Sequence, residues 1–447
     1  MSTTSHKTWP KLTSLEEFRF LSELVMKRST GDHTLVSLQD QHSGTTRFAN
    51  NQVVQNVDAR RGSLSVTVAF GKRQGTADTT DFTAGSVQET VTRAAQLARL
   101  SPEDPEYLPP VEPQSYLTPP TARAETAAAG PARRLEYANE AIGQCRMENL
   151  AAAGIVLSSM ATVGVAASTG LFAYEERTDA RFSLTVQAGE ATGWGASAHR
   201  SIDHLKIYER TITAITKAKR GGEARELPPG RYTVILEPAA VAGLWSQLLW
   251  ALDAKSYEKG TSALSGKLGK PIVDQRLTLR NLPAQEDLLG VGFTLEGLST
   301  LESNWITEGA LTQLSYDRFT AKERGIKTIP TLDAPCLSGA GASLPNLQEL
   351  IKQTERAILV TNFWYIRTVN PTDLTLTGMT RDGTFLVENG AIVSAVKNFR
   401  FHESPLQAFN RIEAFTGPSE AITSETGKLL VPAMRLRDFN FSSVTKF

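Results

Sequence analysis

Apolar residues recur at Leu15, Phe18, Leu21, Leu24 and Val25, the spacing of one helix face, and predict an opening amphipathic helix. Ser14 and Glu17 have capping-box spacing, in which each side chain satisfies an orphan amide of the first turn. The period then changes to two. Alternation through residues 33–38, 45–48 and 63–70, punctuated by Gly62, Gly71 and Gly75, predicts strands. Ser86 and Glu89 repeat the capping-box spacing ahead of Val87, Val91, Ala94, Ala95 and Ala98, so a second helix is expected there.

Eight prolines between Ser101 and Pro131 forbid continuous helix or central strand and mark a linker. A helix is expected over 132–149. Residues 151–174 carry no charge and are long enough on paper for a membrane span of ~20 residues. Ser158-Ser159, Thr162, Gly164 and Ser168-Thr169-Gly170 interrupt that run, and it is rich in Ala rather than Leu. It therefore reads as two buried strands with a turn. Residues 182–187 alternate as another strand, and 202–219 read as a helix whose basic end suits the helix dipole.

Gly221-Gly222 and Pro228-Pro229-Gly230 set a second boundary. Beyond it a strand over 231–236 precedes an apolar helix over 239–254, and 357–361 and 363–366 read as central strands. Asn389-Gly390 lies between two apolar arms over 384–396, the pattern of a type I′ hairpin. Helices and strands mix without strict βαβ alternation, which predicts an α+β fold with largely antiparallel sheets. Three domains are expected: residues 1–105, 106–226 after the proline-rich linker, and a β-rich 227–447.

Composition narrows the chemistry. Lys+Arg and Asp+Glu are both 47 in 447 residues, a net charge of +0, so no bulk basic surface points to nucleic acid. Cys145 and Cys336 are the only cysteines, which suits a reducing, cytoplasmic setting rather than a disulfide scaffold. No apolar leader segment opens the chain, and no membrane partner is expected. The chain has no GxxxxGK[ST] phosphate loop, no GxSxG elbow and no HExxH or HExxxH motif. Gly339-Ala-Gly-Ala lacks the setting of a dinucleotide loop. His199 and His204 are five positions apart, which on a regular helix sets their rings ~140° apart, so they read as surface residues. Glu175-Glu176 reads as a solvated turn.

Several blocks in order carry a resemblance. Arg47-Phe-Ala-Asn50-Asn-Gln-Val, Arg61-Gly62-Ser-Leu-Ser-Val and Gly71-Lys-Arg-Gln-Gly75 come first, then Ala167-Ser-Thr-Gly170-Leu-Phe. Lys259-Gly260-Thr261-Ser262-Ala263 and Leu430-Val-Pro-Ala-Met-Arg-Leu follow. Across residues 14–447 this resembles the TldD/PmbA family of intracellular zinc-dependent peptidases, also named modulators of DNA gyrase. In the TldD branch, HExxxH precedes the KGTSA-like segment and a C-terminal Cys completes the zinc site. Counting back from Lys259, the two histidine positions fall on Trp245 and Trp250, and the glutamate position on Ser246. An indole has no lone pair for a metal and serine is no general base at neutral pH. The third ligand is expected within 421–426, where there is no Cys; Cys336 reads as a buried small hydrophobe.

The resemblance therefore points to the PmbA (TldE) branch, a non-catalytic subunit of a cytoplasmic metallopeptidase complex acting on unfolded peptide, with no cofactor of its own. Its expected partner is a TldD-like zinc-bearing subunit or a second copy of itself. Trp245, Trp250, Lys259, Thr261 and Ser262 are the expected lining of a substrate channel, and the region from Arg231 onward the dimer interface. Two alternatives stand beside this: a zinc peptidase with relocated ligands drawn from His199, His204, Cys336 and His402, and a non-proteolytic scaffold acting on gyrase without direct nucleic-acid contact.

Overall fold

The computed structural model describes residues 11–341, 343–423 and 427–445. Helix α1 (Leu15–Arg28) starts at the expected cap: Ser14 Oγ accepts from the Glu17 amide, and the Glu17 carboxylate accepts from the Ser14 amide at 2.7 Å. Strands β1 (His33–Ala49) and β2 (Gln52–Phe70) are far longer than the alternating runs suggested. They form one hairpin whose Asn50 and Asn51 both have left-handed backbone, φ 49° and 59°, a conformation in which asparagine is enriched. Strand β3 (Arg73–Thr79) and helix α2 (Ala84–Leu100) follow. The cap of α2 is Thr83, whose side chain accepts from the Ser86 amide, so Ser86 lies inside the helix rather than at its start. Its buried face is the expected Val87, Val91, Ala94, Ala95 and Ala98.

Next come α3 (Ala124–Ala127), α4 (Pro131–Met147), β4 (Ala151–Ala167), β5 (Phe172–Ala188), β6 (Ala191–His199) and α5 (Ile207–Arg220). The uncharged run is a strand pair, with β4 passing unbroken through Ser158-Ser159 and Gly164. A Cβ on Gly164 would lie 2.5 Å from the Phe18 ring, so glycine lets α1 seat on the sheet. Two expectations fail here. Glu175 and Glu176 lie in β5, not in a turn, and Glu175 holds Arg177 at 2.7 Å and accepts from the Gly292 amide. The helix expected over 202–219 begins only at Ile207, after a separate 3-10 turn (Ile202–His204).

The six strands form one antiparallel sheet in the order β3-β2-β1-β4-β5-β6. Leu35–Phe48 of β1 pair with the stretch of β4 from Ala167 back to Gly154. The proline-rich linker thus joins two halves of one sheet rather than two separate sheets. Helices cover its apolar face in two clusters, one around Phe18, Val36 and Val91, the other around Phe48, Ile142 and Leu184.

The rest of the chain comprises β7 (Gly230–Leu236), α6 (Pro238–Trp250), α7 (Ala254–Glu258), β8 (Leu277–Asn281), β9 (Ser303–Thr307), β10 (Ala310–Leu311), α8 (Arg318–Arg324) and β11 (Pro335–Gly339). After α9 (Leu347–Lys352) come β12 (Arg356–Asn370), β13 (Thr375–Glu388), β14 (Ala391–Ala395), β15 (Phe399–Glu403) and α10 (Pro405–Ala408). Strands β16 (Ile412–Phe415), β17 (Ser419–Thr423), β18 (Gly427–Val431) and β19 (Met434–Val444) end the fold. The helix expected over 239–254 stops at Trp250, because Asp253 caps α7 by accepting from the Ser256 amide. Asn389 and Gly390, φ 49° and 79°, close the predicted β13–β14 hairpin.

Strand β12 pairs with both β7 and β13, so β12, β7, β19, β15 and β13 close into a ring. Phe363, Phe399, Phe401, Phe439 and Phe441 pack against one another in that barrel. A second sheet, β10-β9-β8-β11-β18-β17, lies beside it, and α6 is buried among residues of both. The fold is α+β, as the patterning implied. Among the described residues, no helix is long and apolar enough to cross a membrane.

Candidate functional site

Helix α6 is apolar on nearly every side, and a helix of that kind must be buried. It packs against β12, β17 and β18. Trp245 is 1 % exposed and stacks on Phe409 with ring centroids 5.1 Å apart. Its indole Nε1 has no hydrogen-bond acceptor among the described residues. Ser246 is fully buried; its Oγ donates to the Ala242 carbonyl at 2.8 Å and lies 3.4 Å from Thr423 Oγ1. Thr423 ends β17, inside the stretch where a third metal ligand was expected; residues 424–426 of that stretch lie outside the described ones.

The fold therefore brings the two mapped segments, on α6 and β17, into contact. The contact there is between two hydroxyls, Ser246 and Thr423, while the neighbouring Trp245 indole stacks on Phe409. Zinc takes thiolate, imidazole or carboxylate donors, so among the described residues this set does not fit the metal.

The channel candidates separate. Trp245 fills the core. Trp250 is 68 % exposed at the end of α6. It borders an apolar groove of about 230 Å³ with Leu249, Trp305 and Leu332. Lys259 and Thr261 are exposed and Ser262 is half-buried. The Thr261 and Ser262 hydroxyls donate to the Ser256 and Ala251 carbonyls, so they shape the loop after α7.

On its other side, β17 meets β6 through a buried ionic cluster. Glu420 accepts from the Ala198 amide at 2.8 Å and from Arg210 at 2.9 Å, and lies 3.4 Å from Lys428 Nζ. Lys428 also donates to the Ala198 carbonyl. Burial pushes the Glu420 carboxyl upward, but Lys428, the Ala198 amide and Arg210 together hold it below the usual range. Burial pushes the Lys428 ammonium down, against the pull of Glu420. This cluster fixes the strand that carries Thr423.

The surface expectation fails for His199, while His204 is exposed as expected. His199 is buried, its Nδ1 accepts from the Ser201 amide, and its ring lies 4.6 Å from that of His204. The intervening chain is not a regular helix, so the divergence argued for one does not apply. Burial, then Lys428, hold the His199 imidazole below its usual range. His402 is exposed on β15 and Cys336 is buried in β11, where burial raises its thiol. Among the described residues, no three His, Cys, Asp or Glu side chains come together as a metal site.

Family models described as PmbA/TldA metallopeptidase domain 1, central domain and C-terminal domain match residues 36–98, 123–221 and 229–443. The chain belongs to the PmbA/TldD family. Among curated relatives, "Metalloprotease PmbA" of Escherichia coli O157:H7 is 24 % identical over 93 % of this chain and 94 % of that protein. A "Metalloprotease" of Methanothermobacter thermautotrophicus is 26 % identical over 32 % of each. Among solved structures, TldE of Thermococcus kodakarensis shares the fold with a TM-score of 0.86 at 19 % identity, covering 95 % of this chain and 99 % of that one. A putative modulator of DNA gyrase from Bacteroides thetaiotaomicron gives 0.82 at 18 % identity, covering 96 % and 98 %.

Within this family fold, reasoning from sequence missed Glu420, Arg210 and Lys428. Arg210 and Glu420 are 210 positions apart, and no local pattern links them.

Proposed function

We propose that this chain is a non-catalytic, TldE/PmbA-like subunit of a cytoplasmic metallopeptidase complex that acts on unfolded peptides. One observation carries the reading: among the described residues where α6 meets β17, Ser246 and Thr423 present hydroxyls, and the neighbouring Trp245 an indole, in place of donors able to hold zinc. The family's metallopeptidase description and the TldE-like fold support it. Zinc and the activated water belong to a TldD-like partner. This chain supplies the second wall of a chamber, built from the region beyond Arg231, with Trp250 at its lining. Such a chamber admits extended chains and excludes folded ones by size. An unfolded segment is most readily held through main-chain hydrogen bonds, which do not depend on sequence.

Purified chain mixed with a TldD-type partner is expected to cleave casein-derived peptides in a zinc-dependent way, while each protein alone is inactive. Equal activity when this chain is omitted overturns the proposal. Zinc-dependent cleavage by this chain alone would instead favour relocated ligands.

A further inference from the structure

A cavity of about 320 Å³ lies between the β6–α5 region and the barrel. A second lobe of about 510 Å³ shares Glu190, Thr192, Asn398 and Thr445 with it, so the two make one groove. Asp382 lines the first lobe and is only 6 % exposed. Its Oδ1 accepts from Thr192 Oγ1 at 3.0 Å and lies 3.8 Å from Arg381 Nε. Its Oδ2 has no hydrogen-bond partner among the described residues. That oxygen is left to the solvent of the groove, where a cation would pair with it.

The surroundings say what that partner is. Gly221 and Gly222 line the same lobe just after the last turn of α5, so the negative end of that helix's dipole lies against it. The nearby cations are mostly committed elsewhere: Lys217 to Glu237 at 2.7 Å, Lys219 to Glu148, and Lys397 to Glu226 at 3.0 Å. Arg381 remains, with its guanidinium 4.3 Å over the Trp364 ring in the second lobe. Asp382 and Glu190 thus line the groove beside a helix C-terminus, with Arg381 and the Glu226-paired Lys397 as its lining cations. Trp364 and Met379 give the second lobe an apolar wall. A metal ion is poorly served, since no third His, Cys, Asp or Glu joins the pair among the described residues. An anion would meet Asp382.

We propose that this groove binds a primary ammonium carried on an apolar stem, with the ammonium on Asp382 and the stem along Trp364. A peptide N-terminus, a lysine side chain and an aliphatic diamine share this chemistry. The proposal rests on the groove itself and stands independently of the peptidase reading.

Calorimetric titration of the full chain tests it with four probes: leucyl-alanyl-alanine amide, its N-acetyl form, N-acetyl-alanyl-lysyl-alanine amide, and cadaverine. At least one free-amine probe is expected to bind about tenfold or more tighter than the acetylated tripeptide, and the probe that does so identifies the source. Asp382→Asn is expected to remove that preference. Asparagine keeps the shape and accepts the left-handed backbone (φ 58°) at this position, and the ligand-free variant should melt higher because a buried charge is gone. Glu190→Gln, at an exposed site, offers a second variant and should weaken binding of the same probe several-fold. Equal binding of free and acetylated probes, no binding of any amine, an unchanged preference in Asp382→Asn, or saturation by calcium or magnesium alone would overturn the proposal.

Discussion

Trp245→Ala is expected to lower stability by about 3–5 kcal/mol, while Trp250→Ala at the end of the same helix should cost under about 0.5 kcal/mol. Trp245 is enclosed and stacked on Phe409, so its removal opens a cavity between α6 and α10; Trp250 already stands in solvent. Denaturant unfolding of both variants checks the contrast. Peptide turnover by the reconstituted complex then bears on function. A folded Trp250→Ala that changes turnover places this indole against substrate, and a folded variant with unaltered turnover removes it from the chamber wall.

Glu420→Gln is expected to be nearly as damaging, on the order of 3–5 kcal/mol, because it leaves Lys428 and Arg210 without their counter-charge in a buried setting. The pH dependence gives a separate signature. In the folded chain the Glu420 carboxyl titrates below the ordinary glutamate value of 4.5. Its contribution is therefore fully present above pH 4.5 and fades as pH falls through the lower, folded value. The stability gap between the parent chain and Glu420→Gln should be constant near neutrality and narrow below pH 4.5. A gap that stays constant into that acidic range would show that Glu420 acts through packing rather than charge.

The parts of the fold legible in sequence are those with short-range causes. The Ser14–Glu17 box starts α1 and Asn389-Gly390 closes β13–β14, each through contacts within a few residues. Local patterns misled where two of them compete. Thr83 outcompetes Ser86 as the cap of α2, and the 3-10 turn at Ile202–His204 interrupts what reads as one amphipathic helix. At the candidate site, counting from Lys259 found α6, and the family order found β17, yet nothing local showed that they touch. Side chains that act across distant segments stayed hidden. Asp382 meets Thr192 across 190 positions and Lys428 meets Ala198 across 230, and no periodicity reports a contact of that range.

The pairing of β1 with β4 also bears on how the chain can be divided. Leu35–Phe48 find their second neighbour only after the proline-rich linker and α4 have been made. A fragment ending at residue 105 would leave that length of β1 as an open edge, a template for pairing with other chains. It should aggregate when expressed, whereas one ending at Gly222 pairs β1 on both sides and should aggregate less, its newly uncovered edge being the shorter β6. The smallest separable piece of the N-terminal half is the whole sheet, and during synthesis its first hairpin must wait for more than half of that sheet to emerge.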